Sequence, residues 1–263
     1  MASYVLIAVI AVAMVALMLG AVELGYRHGL RTPAEESERL SSHATAWEAA
    51  LLGLLALLVG FTFAMAVTRF DHRRDLILDE ANAIESTAAR AEYVDPPVRD
   101  RVEALLRPYL AARIRSYDAG VDMRATLAAY EEGKALQRQL WGQVVTLLRA
   151  HPDSESAVAF MESADELVRV EARRRGALEN HVPLPVFGVL VLVAAAGMAA
   201  TGYSCGLHRR RLPLGMVLMP VLIVLVVVMV FDIDYPRAGV IRAGQGAMIR
   251  LQHRLAVERA DAP

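Results

Sequence analysis

The chain has 263 residues, 56% of them hydrophobic, a formal net charge of −1 and a mean hydropathy of +0.36. That hydropathy is too high for an ordinary soluble domain of this length, and the balanced charge argues against a nucleic-acid binder, which would concentrate basic residues on one surface. Cys205 is the sole cysteine, which excludes an intrachain disulfide or a cysteine metal cluster, and Lys134 is the sole lysine, so nearly all positive charge is arginine.

Four runs meet the requirement of roughly 20 apolar residues for a membrane-spanning helix, and none contains Asp, Glu, Lys, Arg or His. The first covers residues 1–22. No Lys or Arg precedes its apolar run and no convincing small-residue cleavage site follows, so it is expected to be an uncleaved anchor rather than a signal peptide. A short polar connection is expected over residues 23–48, followed by a second span at 49–68.

Residues 60–92 read GFTFAMAVTRFDHRRDLILDEANAIESTAARAE, and their character changes at Arg69. No proline interrupts residues 49–90, and Gly53 and Gly60 are tolerable in a membrane helix. One helix of about 45 residues would be about 65 to 70 Å long at 1.5 Å per residue. That exceeds a hydrocarbon core of roughly 30 Å, so the second span is expected to continue as a soluble helix to about residue 92. Beyond Arg69, the residues Phe70, Ile77, Ile84 and Ala91, with Arg74, Ala81 and Ala88 four positions after the first three, make a narrow and largely apolar stripe. It is expected to pack against other helices of its own domain in preference to a seam between subunits.

Residues 69–182 form the one polar stretch long enough for a soluble domain. Val98, Val102, Leu105, Leu106, Tyr109 and Leu110 recur at helical spacing, as do Leu140, Val144, Leu147 and Leu148. Boundaries are expected at Asp95-Pro96-Pro97, at Gly120 and at HPDSES, residues 151–156. There is no alternating strand pattern and no glycine-rich phosphate loop. A third span at 184–203, a short basic loop at 204–211, a fourth span at 212–231 and a C-terminal tail at 232–263 complete the chain. The expected fold is an all-α membrane protein with four transmembrane helices and a helical cytoplasmic domain between helices two and three.

The second span has two adjacent faces. Ala56, Gly60 and Ala64 permit close helix approach, and Gly53, Leu57, Phe61 and Met65 form the next face around. In a ring of copies packed through the small face, the second face lines a central path; by spacing alone, both are more often ordinary lipid-facing or interhelical positions. Arg69, Arg73 and Arg74 follow directly and are the basic cluster placed to attract anions at a pore mouth, whereas lipid headgroup binding is the default for basic clusters at span ends.

Asp232 and Asp234 lie just past the fourth span. Two carboxylates one residue apart are able to hold a divalent cation, but no alternation of strand and helix surrounds them, so a structural or interfacial role is expected, with a turn at Pro236 and Gly239. The seven histidines show no paired ligand spacing and no HExxH motif. Neither a metal, a cofactor nor a catalytic residue is expected.

The stretch GFTFAMAVTRFDHRRD at residues 60–75 resembles bestrophin chloride channels at Gly60, Phe61, Val67, Thr68, Arg69 and Phe70. RFDHRRDLILDEANAI and the later DIDYPRAGVIR are similar to hallmarks of a bacterial bestrophin-like domain family whose biochemical role is uncharacterised. The resemblance covers spans two to four and most of the polar domain. It implies a pentameric, mostly helical channel for small anions whose second helix lines a narrow neck. Phe61 matches one neck phenylalanine, but Leu57 stands where another is expected and Gly53 where a bulky aliphatic residue is usual. The dense acidic clasp of calcium-activated members is reduced to Asp232 and Asp234, so no calcium gating is expected.

The resemblance also places both termini inside, in a bacterial inner membrane. The flanks then hold Arg69, Arg73, Arg74, Arg169, Arg173, Arg174, Arg175, Arg237, Arg242 and Arg250 inside, against Arg27, Arg31, Arg39, Arg209, Arg210 and Arg211 outside. The expected function is a homo-oligomeric anion channel. The competing class is a non-conducting scaffold or sensor whose polar domain binds another protein, with an enzyme third.

Overall fold

The computed structural model describes residues 2–211, 213–235, 241 and 243–260. Among them are eight helices and no strand: α1 (Ala2–Arg31), α2 (Ala34–Ala91), α3 (Pro96–Asp118), α4 (Met123–Ala150), α5 (Glu155–Glu179), α6 (Leu184–Leu207), α7 (Pro213–Asp234) and α8 (Gly246–Ala260). Arg237, Arg242, Pro236 and Gly239 lie outside the described residues. The chain forms two compact units, and α2 belongs to the first up to Thr68 and to the second from Arg69.

In the first unit, α1, α2, α6 and α7 supply four helices long and apolar enough to cross a membrane. Lipid tails are as apolar as leucine, so such helices are drawn together by close packing rather than by exclusion of water. Two related pentapeptides provide it: GYRHG at residues 25–29 of α1 and GYSCG at residues 202–206 of α6. A Cβ added to Gly25 would run into the Ala199 carbonyl, and one on Gly202 into that of Val22. On Gly29 it would stand 2.5 Å from the Tyr203 oxygen, and on Gly206 it would strike the Tyr26 carbonyl. The backbones therefore touch, a geometry suited to weak Cα–H donation to carbonyl oxygen. Gly25 meets Ala199 and Gly29 meets Tyr203, so the pairing advances the same way along both helices, and α1 and α6 run parallel. Met18 and Val22 of α1, Leu55 of α2, Leu190 and Met198 of α6 and Val224 of α7 pack as this unit's core.

The polar connection expected over residues 23–48 is helical except at Thr32 and Pro33. Its polar side chains serve the helices that they extend. Glu23 pairs with Arg27 one turn on at 2.8 Å, and Glu35 and Glu36 occupy the first turn of α2, where the helix dipole favours negative charge. Ser37 donates its hydroxyl to the Leu207 carbonyl, 2.7 Å away, and so satisfies an orphan acceptor at the end of α6.

The second unit contains α2 beyond Thr68 with α3, α4, α5 and α8. The three expected boundaries are present. Pro96 and Pro97 open α3 after Asp95, Gly120 turns the chain with φ 57°, and Ser154 caps α5 by accepting the Ala157 N–H at 3.3 Å. Ile77 and Ile84 of α2 pack with Val102, Leu106 and Leu110 of α3, Val144 of α4 and Leu167 of α5. The stripe beyond Arg69 is thus buried inside its own unit, except for exposed Arg74. The expected tail differs most: its residues 246–260 form α8, whose Met248 and Leu251 are 0% and 1% exposed in the same core. Their helical spacing, continued by Leu255, is the signal that identifies α8 as part of the fold.

Replacing Gly202 with Ala should force α1 and α6 apart and cost about 1 to 3 kcal/mol, the usual penalty of overpacking. Gly20→Ala on exposed α1, where an added Cβ meets nothing within 4 Å, should leave stability unchanged or slightly raised. Thermal unfolding of both variants in mild detergent checks the difference.

Candidate functional site

Within the first unit, α2 turns Leu55, Thr62 and Ala66 inward, at 4%, 2% and 0% exposure. The other side carries Gly53, Leu57, Phe61 and Met65 and, beside them, Ala56, Gly60 and Ala64, all exposed on the single chain. Leu57 is 55% and Phe61 62% exposed. Thr62 and Thr68 return their hydroxyls to the carbonyls of Leu58 and Ala64, at 2.7 and 2.9 Å, which leaves no unsatisfied donor on this stretch of helix. The glycines of α2 differ from the four at the α1–α6 contact: a Cβ on Gly53 or Gly60 would meet nothing within 4 Å, as is also true of Gly20 on α1 and Gly188 on α6. Their small size serves no contact inside the chain.

The arginines that the sequence groups together separate in the second unit. Arg73 is 3% exposed and donates Nε to the Ala177 carbonyl at 3.0 Å and a terminal nitrogen to that of Asn180 at 2.8 Å. It therefore satisfies acceptors at the C-terminal end of α5, where a cation also opposes the helix dipole. Arg69 donates to the Asn180 side-chain oxygen. Arg74 is exposed.

Asp232 and Asp234 take backbone donors in the first unit. Asp234, 0% exposed, accepts the Val182 N–H at 2.8 Å, and Asp232 accepts that of Ile241 at 2.9 Å. His181 bonds through Nδ1 to the Asp234 carbonyl at 2.9 Å and stacks on Tyr235. These contacts tie the start of α6 to the end of α7, the structural role expected of the pair. Among the described residues no group of three or more His, Cys, Asp or Glu side chains is placed to hold a metal ion.

Sequence reasoning missed a buried ionic cluster in the second unit. Glu80 of α2 is 0% exposed and accepts from Arg113 of α3, at 2.5 Å for Nε, and from Arg174 of α5. The Tyr109 hydroxyl donates to it at 3.3 Å. Glu171, also buried, lies 3.6 Å from Arg113 and pairs with Lys134 of α4. Four helices thus meet through charge. Burial alone would push the Glu80 carboxyl up, but the Arg113 and Arg174 guanidiniums outweigh it and hold the group below the ordinary carboxylate range. Burial and the adjacent Glu80 push the Tyr109 hydroxyl far up, so it stays a donor. The signal was available: Glu80 falls on the buried stripe between Ile77 and Ile84, and Arg113 continues the face of Leu106, Tyr109 and Leu110.

The sequence pattern of the Bestrophin-like domain matches residues 35–248. The chain belongs to the bestrophin-like domain family. Among solved structures, a point-mutant bacterial bestrophin homolog from Klebsiella pneumoniae matches at a TM-score of 0.67 with 15% identity, over 95% of this chain and 98% of that one. A second structure of the Klebsiella homolog, phased with zinc, matches at 0.61 with 14% identity, over 94% and 98%. At that identity the likeness shows a shared fold. No curated protein matches the sequence.

Glu80→Gln should leave two buried guanidiniums short of a counter-charge and cost roughly 3 to 5 kcal/mol. Glu85→Gln, which removes an exposed partner of Arg254, should cost no more than about 1 kcal/mol. Because the folded Glu80 is the stronger acid, its contribution is complete above the unfolded carboxylate range near pH ~4.3 and is lost as pH falls through the lower folded value. Denaturant unfolding followed by Trp141 emission in a Trp47→Phe background across this range measures both effects.

Proposed function

We propose that the protein is a homo-oligomeric channel that passes small anions across a bacterial inner membrane through a pore lined by α2. The observation that carries this reading is the exposed row of small residues Ala56, Gly60 and Ala64 beside Gly53, Leu57, Phe61 and Met65 on α2, where a Cβ on Gly53 or Gly60 would meet nothing within the chain. In this reading, copies of α2 approach one another through Ala56, Gly60 and Ala64. Gly53, Leu57, Phe61 and Met65 then face the axis, and Leu57 with Phe61 forms an apolar constriction of the kind that gates by dewetting. Family membership supports a channel in preference to a scaffold, and the bestrophin resemblance implies five subunits.

Arg69, Arg73 and Arg74 supply the positive charge of the cytoplasmic mouth, with different duties. Arg74 is the solvent-facing member, and Arg73 holds the end of α5. Both termini and the second unit are cytoplasmic, and the chain acts without a catalytic residue or cofactor. The parallel course of α1 and α6 supports the alternation of spans, because the spans before and after an α2 crossing then point the same way, and the arginine balance of the flanks supports the cytoplasmic side.

Mass measurement in mild detergent should give one defined oligomer, and a stable monomer in several detergents and in lipid nanodiscs would leave the non-conducting scaffold in front. In liposomes with matched oligomer, Phe61→Ala should raise flux by lowering the dewetting barrier. Arg74→Gln should reduce anion preference more at low salt than at high, since screening acts within about 10 Å at 0.1 M, whereas Arg73→Gln should chiefly lower stability. Unchanged flux and unchanged preference would remove α2 from the pore. Val121→Cys, beside Gly120 and exposed, in a Cys205→Ala background should resist an impermeant thiol reagent on intact cells, and efficient labelling would invert the topology.

A further inference from the structure

A cavity of about 160 Å³ opens in the first unit between α1, α6 and α7. Its walls include Met14 of α1, Phe187 and Val191 of α6, and Val227, Val228 and Phe231 of α7, and every lining side chain is apolar. We propose that this cavity is a lipid site that seats the upper part of one acyl chain of a bilayer phospholipid. The proposal rests on the membrane placement of the four helices and is independent of the channel reading, because α2 contributes no residue to the lining.

Size and chemistry set the class of ligand. A water molecule needs two to four polar partners, and a wholly apolar cavity of about 150 Å³ stays dry and accepts a benzene-sized molecule. An empty cavity of this kind is costly, since lining atoms lose their packing partners. In a helix bundle surrounded by hydrocarbon, the apolar material at hand is an acyl chain. Leu184 and Ile10, at 68% and 41% exposure, stand at the rim, so the cavity opens to the lipid side rather than into a sealed core.

Its shape is held open. Phe187 and Phe231 meet edge to face with centroids 5.8 Å apart, Phe231 stacks on Tyr235 at 4.3 Å and Tyr235 on His181 at 4.4 Å. The His181 ring is fixed in turn by its bond to the Asp234 carbonyl. This ladder keeps Phe231 and Phe187 from collapsing into the space. It also gives the depth. Tyr235 and His181 are polar-edged rings at the ends of α7 and α6, as interfacial residues are, and the lining of α6 from Leu184 to Val191 is about 10 Å long. The cavity thus takes the headgroup-proximal part of one acyl chain and leaves the headgroup beside His181 and Tyr235.

The test uses the full-length protein in phosphatidylcholine vesicles doped with a phospholipid that carries a photoactivatable diazirine on the upper part of one acyl chain. Label is read residue by residue by mass spectrometry. It should concentrate on Met14, Val191 and Val228 over the exposed surface residues Leu192 and Leu225. Val228→Trp should fill the cavity and abolish that label while Leu192 and Leu225 keep theirs. Val191→Phe serves as a second filling variant if the first does not assemble. Equal labelling of cavity and surface would reduce the site to ordinary annular lipid. Labelling of detergent-dissociated monomer but not of the assembled protein would show that a neighbouring copy fills the cavity. Either result overturns the proposal.

Discussion

The contact on which the membrane unit depends is the meeting of two backbones, α1 at Gly25 and Gly29 and α6 at Gly202 and Gly206. Apolar side chains gain nothing by leaving lipid for protein, so a bundle of such helices needs contacts that lipid cannot imitate. Backbone against backbone is one of them. It fixes the parallel course of α1 and α6, and with it the end of the bundle at which α6 begins and α7 finishes. Asp234 then closes that end by accepting the Val182 N–H. The other end is closed by Ser37 on the Leu207 carbonyl.

The second unit is built on the opposite principle. In water an apolar stripe is enough to bring helices together, and Ile77, Ile84, Leu106, Leu110, Val144 and Leu167 do so. What apolar packing lacks is selectivity of register, because one leucine fits against another in many ways. Glu80 accepts from α3 and α5 at once, and Glu171 reaches α3 and α4. A helix slipped by one turn would leave those charges buried and unmatched, at a cost that apolar contacts would not recover. The cluster therefore acts on which packing is adopted more than on how much stability is gained.

Much of this was legible in the residues. Runs free of charge gave the four membrane helices, the 3.6-residue period gave the soluble ones, and prolines and Gly120 gave their ends. The resemblance of RFDHRRDLILDEANAI and DIDYPRAGVIR gave the family. Three features were not read. The connection over residues 23–48 looked like a loop because it is polar, but polarity does not by itself break a helix, and Glu23, Arg27, Glu35 and Glu36 are placed as helix-stabilising charges. The C-terminal helix was hidden by its low density of apolar residues, although Met248 and Leu251 share one face. The buried charges were hidden because an arginine has the same letter in a core as on a surface. Only their position on an otherwise apolar stripe distinguishes Glu80 and Arg113.

The same ambiguity bears on the candidate site. Arg69, Arg73 and Arg74 read as one basic patch, yet a guanidinium whose donors face helix carbonyls has less to offer a passing anion than one that faces water. Arg73 directs its donors to Ala177 and Asn180, and Arg69 directs one to Asn180, so Arg74 presents its charge most openly. One exposed charge per subunit attracts anions weakly and is screened by salt. A ring of subunits multiplies that charge about a common axis without any change in the single chain. Strong attraction from so sparse a site therefore requires an assembly, which the proposed packing of α2 through Ala56, Gly60 and Ala64 would supply.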